Sequence, residues 1–153
     1  MEKIGQWRIS VDREATQNAY ADMDSAEKCA CCYCRNYDNA VFDFPMEVQR
    51  LFEDLGIDIA QPAELMHDTV ENGVAHTGGW YHIVGEYQEG EELPTVAPKR
   101  SRKKQTDFVM LAEGFYIGFT RCVKLVDDKF PRPVLQMEID FRVHWVLEEP
   151  YDR

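Results

Sequence analysis

Long apolar runs are missing from this chain, and so is an excess of positive charge. No stretch approaches the about 18 apolar residues of a membrane-spanning helix. The N-terminal Met1-Glu2-Lys3-Ile4 opens without the apolar core of a secretory signal, and Glu2 speaks against a transit peptide. Seventeen Lys and Arg stand against 28 Asp and Glu, a formal net charge of −11. That balance opposes non-specific contact with nucleic acid or an anionic membrane. No G-x-S-x-G, H-E-x-x-H, P-loop or G-x-G-x-x-G is present, so no reaction is named by motif. We expect a cytoplasmic, non-enzymatic protein without a membrane or nucleic-acid partner. Its actual partner and oligomeric state stay open.

Disorder is excluded by composition. Hydrophobic residues make up 44% and aromatics 12% of 153 residues, enough for a core without disulfide help. We expect one domain over residues 1–153.

Cysteine is few but concentrated. Four of the five lie in Cys29-Ala30-Cys31-Cys32-Tyr33-Cys34, followed at once by Arg35-Asn36-Tyr37, and Cys122 stands apart. The odd count argues against a disulfide framework. Cys31 and Cys32 are poor disulfide partners, because adjacent Cα atoms sit only about 3.8 Å apart. Cys29 with Cys32 and Cys31 with Cys34 each make a C-x-x-C pair. A structural zinc site takes four thiolate or imidazole ligands. Cys29, Cys31 and Cys34 suit three of them, since adjacent side chains diverge and Cys32 is left as a possible additional ligand. The fourth must come from elsewhere, and His67 and His82 are preferred over His76 and His144. Two other readings stand beside zinc. A C-x-x-C pair can act as a thiol–disulfide switch, helped by Arg35 or a helix N-terminus, although no βαβ pattern surrounds it. The same thiols can also be inert packing at the entry to a helix.

The rest of the chain reads as α+β. Gln6 to Val11 alternates as a half-buried strand. Residues 12–28, polar with scattered alanines, carry no clear signal, and the cysteine segment reads as loop or turn. Asp38 to Leu55 reads as helix in two pieces joined near Pro45, which suits a first helical position. Val48, Leu51, Phe52 and Leu55 form one apolar stripe. Gly56 and Ile57 then make a left-handed stop. A helical turn is expected from Pro62, and Asn72-Gly73 marks a hairpin turn. Gly78-Gly79 reads as a further turn signal. Strands follow at Gly79–Tyr87, Asp107–Ala112 and Phe115–Cys122. Leu135 to Trp145 alternates without a break, the odd positions apolar and the even ones polar. These elements predict a mainly antiparallel sheet of about five strands with one main helix packed on one face.

Residues 88–105 read as a mobile acidic and basic loop. Glu89, Glu91 and Glu92 precede Lys99-Arg100-Ser101-Arg102-Lys103-Lys104. The basic run lacks the interleaved aromatics of a base-stacking surface, so a solvated loop is expected.

Cys29-x-Cys31-x-x-Cys34-Arg35-Asn36-Tyr37, the helix and stop from Pro45 to Asp58, Pro62-Ala63-Glu64, Gly79 to Gly85, Gly118-Phe119-Thr120 and Trp145-Val146-Leu147 together resemble a family of small uncharacterised bacterial proteins. The resemblance spans the chain from the cysteines to the C-terminus, apart from the 99–104 run. It implies a self-contained single domain and brings with it no activity and no site residue.

Overall fold

A computed structural model describes residues 2–23, 29–90 and 108–151. The elements run β1 (Glu2–Ile4), β2 (Trp7–Val11), α1 (Arg13–Asp22), α2 (Cys32–Ala40), a 3-10 turn (Val41–Asp43) and α3 (Met46–Leu55). Strands β3 (Glu64–Glu71), β4 (Val74–Glu89), β5 (Val109–Ala112), β6 (Phe115–Thr120) and β7 (Val134–His144) complete the chain. All strand pairs are antiparallel, in the order β1-β2-β4-β7-β6-β5, with β3 also on β4. The architecture is α+β, as expected. Among the described residues it has seven strands rather than about five, and three α-helices rather than one main helix.

The period-two run over 135–145 coincides with β7 to within a residue. Leu135, Met137, Ile139, Phe141 and Val143 are buried, while Trp145 lies just past the strand and is half-buried. The even positions divide. Arg142 is exposed, but Gln136 and Glu138 are buried, against expectation. The segment after β6 crosses the outer face there: Lys124 N–H donates to Gln136 Oε1 at 2.9 Å, and Trp80 Nε1 donates to the Lys124 carbonyl at 3.0 Å. Periodicity shows which residues share a face but not what later covers it.

The inner face receives the helices. The Phe52 ring meets Tyr81 at 4.9 Å, and Phe44 lies 5.0 Å from Phe115 and 5.7 Å from Phe141. The sheet is strongly curled. Trp7 on β2 and Phe119 on β6 touch at 5.4 Å, although β4 and β7 separate their strands in the order. Both rings are fully buried, so the curl encloses a core between the sheet and α3.

Four local readings are corrected. Pro62 starts no helical turn: the Ala63 N–H is taken by the Trp80 carbonyl at 2.9 Å, and β3 begins at Glu64. Gly78-Gly79 is not a turn but the interior of β4, whose actual turn is Asn72-Gly73. A side chain on Gly79 would collide with the Glu64 carbonyl of β3, which explains the glycine. Pro45 precedes the first residue of α3, and Cys32 to Cys34 are helical rather than loop. Residues 88 and 89 belong to β4, and 91–105 of the expected mobile loop, with its basic run, lie outside the described residues.

Helix α1 occupies the stretch that carried no clear signal. Asp12 caps it, its Oδ1 accepting from Ala15 N–H at 3.0 Å. The helix also supplies what a strand would. On one edge of β4, β3 pairs up to Trp80 and β2 starts at Gly85, leaving a gap. There the Tyr20 hydroxyl donates to the His82 carbonyl at 2.8 Å and accepts its N–H at 3.1 Å. Thr16 Oγ1 accepts from Val84 N–H at 3.0 Å, and Asp12 N–H donates to the Val84 carbonyl at 2.8 Å. No buried backbone group in the gap is left to pay a desolvation cost.

The left-handed stop of α3 forms as expected. Gly56 has φ +80°, and Ile57 N–H donates to the Phe52 carbonyl at 2.9 Å. A Cβ at Gly56 would also meet the Arg13 carbonyl of α1 at 2.5 Å, whereas one at Gly73 (φ +76°) would meet nothing within 4 Å. Gly73→Ala should therefore cost only the left-handed backbone penalty, about 1 kcal/mol. Gly56→Ala should cost more, about 2–3 kcal/mol once the clash is added. Urea unfolding of the two variants would measure the difference, and equal losses would refute the tight approach of α1 to α3.

Candidate metal centre

The cysteine segment changes from loop to helix within itself. Cys29 to Cys31 are exposed and outside regular structure, Cys31 with an extended backbone, and α2 starts at Cys32. Cys31 stands at the cap position, its Sγ accepting from the Cys34 N–H at 3.5 Å. A helix N-terminus favours negative charge, and the thiols of Cys31 and Cys34 lie at one here. Loop and first turn together bring the sulfurs of Cys29, Cys31 and Cys34 within 4.8 Å of one another, positioned to bind a metal ion. Cys32 does not join that set. Its side chain is buried.

Residues 34–37 each tie this turn down differently. Arg35 Nε donates to the Ala30 carbonyl at 3.0 Å, and its guanidinium pairs through both nitrogens with Glu149. Asn36, 1% exposed, donates to the His144 carbonyl at 3.0 Å and accepts from Val146 N–H at 2.7 Å. Tyr37 enters the core, where its hydroxyl meets that of Tyr81 at 2.6 Å, and Tyr81 in turn donates to the Ile59 carbonyl at 2.6 Å. Cys34 itself points to β3.

There it meets His67, whose Nε2 lies 3.7 Å from Cys34 Sγ. The other ring nitrogen, Nδ1, is 3.3 Å from the Thr77 hydroxyl on the adjacent strand, and the Tyr33 ring stacks on the imidazole at 5.2 Å. Burial holds His67 below the usual histidine range, so its neutral form is favoured. In the tautomer that donates Nδ1–H to Thr77, the Nε2 lone pair is left for the Cys34 side. His67 falls outside the set of donors that all lie within 4.8 Å, so a four-donor shell closes only by a shift of the exposed loop.

Thiol chemistry within the cluster is uneven. The exposed Cys29 is drawn below the ordinary thiol range, chiefly by a hydrogen bond from the Cys31 backbone and then by the Cys34 and Cys31 thiols. Burial, followed by hydrogen bonding to Cys29 and Cys31, pushes Cys34 up. Of Cys29 and Cys34, the exposed Cys29 is therefore the one favoured as thiolate. All five cysteines are free.

The remaining candidates are elsewhere. His82 is buried beside Phe130, its Nε2 3.1 Å from Gln136 Oε1, and it does not face the cysteines. His76 pairs with Asp140 at 3.4 Å on the outer face, and His144 is exposed at the end of β7. Thr77 and Tyr33, which flank the His67 ring, carried no functional signal in the sequence, and Trp145, which meets Tyr33, read only as the end of the long strand. Thr77 lies two residues before the expected start of its strand, and an aromatic beside a cysteine looks like ordinary core.

His82 generates a test of its own. Burial lowers its pKa, outweighing the hydrogen bonds to Gln136 and the Lys124 backbone that raise it. The folded state then binds fewer protons at this site than the unfolded state. The associated stability is complete above the unfolded value of about 6.5 and is lost as the pH falls below it. Urea unfolding at about pH 7.5 and about pH 5.5 should show a larger loss for the wild type than for His82→Gln. Equal losses would show that His82 titrates alike in both states.

No protein-family model matches the chain, nor does any curated protein or solved structure.

Proposed function

We propose that the α2 entry is a structural zinc site formed by Cys29, Cys31, Cys34 and His67, in a non-enzymatic cytoplasmic protein whose partner is unidentified. The observation that carries this is the His67 ring held beside Cys34 Sγ, one of three converging sulfurs. Zinc holds thiolate sulfur at about 2.3 Å and imidazole nitrogen at about 2.0–2.1 Å, which places tetrahedral donors roughly 3.6–3.8 Å apart. The Cys34–His67 separation of 3.7 Å falls on that edge. The soft donor set suits zinc better than calcium or magnesium, which take oxygen. Four protein ligands leave no open position for a substrate, as in structural rather than catalytic sites. A bound ion would tie the loop, α2 and β3 together at one point.

Protein purified without added metal should contain close to one zinc per chain by elemental analysis, and a chelator should lower its melting temperature. Cys34→Ser and His67→Ala should lose metal and stability together, by several kcal/mol against about 1 kcal/mol for an ordinary substitution. Thr77→Val, which keeps the shape but removes the hydroxyl, should weaken zinc binding about tenfold. A fully folded, metal-free wild type would refute the proposal.

One observation favours a second reading. Cys29 is exposed, drawn toward the thiolate and close to two further sulfurs, which is the arrangement of a thiol–disulfide switch. Alkylation rates across pH discriminate: a Cys29 that titrates near the ordinary value of about 8.5 removes this reading.

A further inference from the structure

The residues that hold His67 extend beyond its immediate neighbours. Four aromatic rings follow one another across the outside of the cysteine turn. Tyr33 stacks on His67 with its plane tilted by 23°. The Trp145 ring meets Tyr33 edge-on at 5.7 Å, and Tyr151 meets Trp145 at 5.3 Å. Trp145 is itself anchored at both ends. Its backbone N–H donates to the Gly73 carbonyl at 2.8 Å, in the turn that joins β3 to β4, and its indole Nε1 donates to the Glu149 carbonyl at 2.9 Å. Asn36 and Arg35 bind the same segment from α2, through the His144 carbonyl, Val146 N–H and the Glu149 carboxylate.

We infer that Trp145 and the segment 145–151 form a clamp that positions His67 as the fourth ligand, by pressing Tyr33 onto the imidazole. This rests on the zinc reading above and adds what makes the site selective for a fourth nitrogen donor. Imidazole binds a metal only in one plane, along its lone pair, so ring orientation decides whether Nε2 reaches the ion. Thr77 sets the rotation of the ring at Nδ1, and the Tyr33 face prevents it from tipping away. The Tyr33 side chain is half-buried, and the Trp145 ring meets it edge-on while it stacks on the imidazole. Because coupling between sites is reciprocal, an ion bound by His67 also holds the C-terminal segment more firmly in place.

The test uses cobalt(II) as a spectroscopic stand-in for zinc, bound to the full chain. Trp145→Ala should bind cobalt about tenfold more weakly, in the range for residues that orient a ligand. Its thiolate charge-transfer bands should persist, while its d–d bands move toward those of His67→Ala, because only the nitrogen ligand is lost. Trp145→Phe should restore both affinity and spectrum. A residue that merely packs would lower stability without changing the spectrum, so wild-type bands and affinity in Trp145→Ala overturn the clamp. Should that variant fail to fold, Trp145→Leu keeps apolar bulk and is read in the same way. A wild type that takes up neither zinc nor cobalt refutes the zinc reading instead. The clamp is then judged from the His67 ring resonances by NMR, and identical resonances in the wild type and Trp145→Ala overturn it.

Discussion

Antiparallel pairing of β4 with β7 is continuous from Val74↔His144 to Val84↔Val134, and every other part of the molecule is placed by it. The inner face of that ribbon carries Tyr81, Ile83, Met137, Ile139 and Phe141, all buried, and α3 packs there through Phe52. Burying one large apolar side chain contributes about 1.5–3 kcal/mol, so this face outweighs any surface ion pair, such as the exposed Arg35–Glu149 pair. The two ends of the ribbon do different work. At the Val84 end the edge is finished by α1. At the Val74 end lie the hairpin turn, His67 and the departing C-terminal segment.

Burial of a period-two strand is written locally, and the long strand and the α3 stop were therefore legible. Val48, Phe52 and Leu55 are buried and Leu51 is half-buried, as the apolar stripe requires. What could not be read is what depends on distant chain. Gln136 and Glu138 have the residue types of a wet face and lie under the segment that crosses after β6. Helix α1 has a polar sequence because its inward side chains, Thr16 and Tyr20, spend their hydroxyls on strand backbone rather than contributing an apolar stripe. Gly78-Gly79 imitates a turn because close approach of two backbones and a reversal of direction both demand a missing side chain.

The same division applies to the candidate site. Three sulfurs from one six-residue segment are local, and their spacing alone brings Cys29, Cys31 and Cys34 together and sets Cys32 apart. The imidazole is not local. Both His67 and His82 sit on strands, and nothing in the sequence around either says which one reaches the cysteines. Register does: pairing of His67 with Thr77 carries its ring to the inner face beside Cys34, and pairing of His82 with Gln136 directs that ring to the other. A single shift in strand register would exchange these faces, so the ligand set is a property of the β3–β4–β7 ladder as much as of the cysteines.

The hydroxyls of Tyr20 and Thr16 on β4 do more than satisfy a short piece of backbone. Sheet edges with unpaired N–H and C=O groups are templates on which a neighbouring chain can add a strand. In this sheet the vulnerable stretch lies in mid-edge, between β3 and β2, and would be open to any extended peptide if α1 moved away. Two side-chain oxygens and the Asp12 amide occupy it instead. Helix α1 thus protects against edge-to-edge aggregation, and a hydroxyl-for-hydrogen change at Tyr20 would affect solubility during folding before it affected the shape of the native chain.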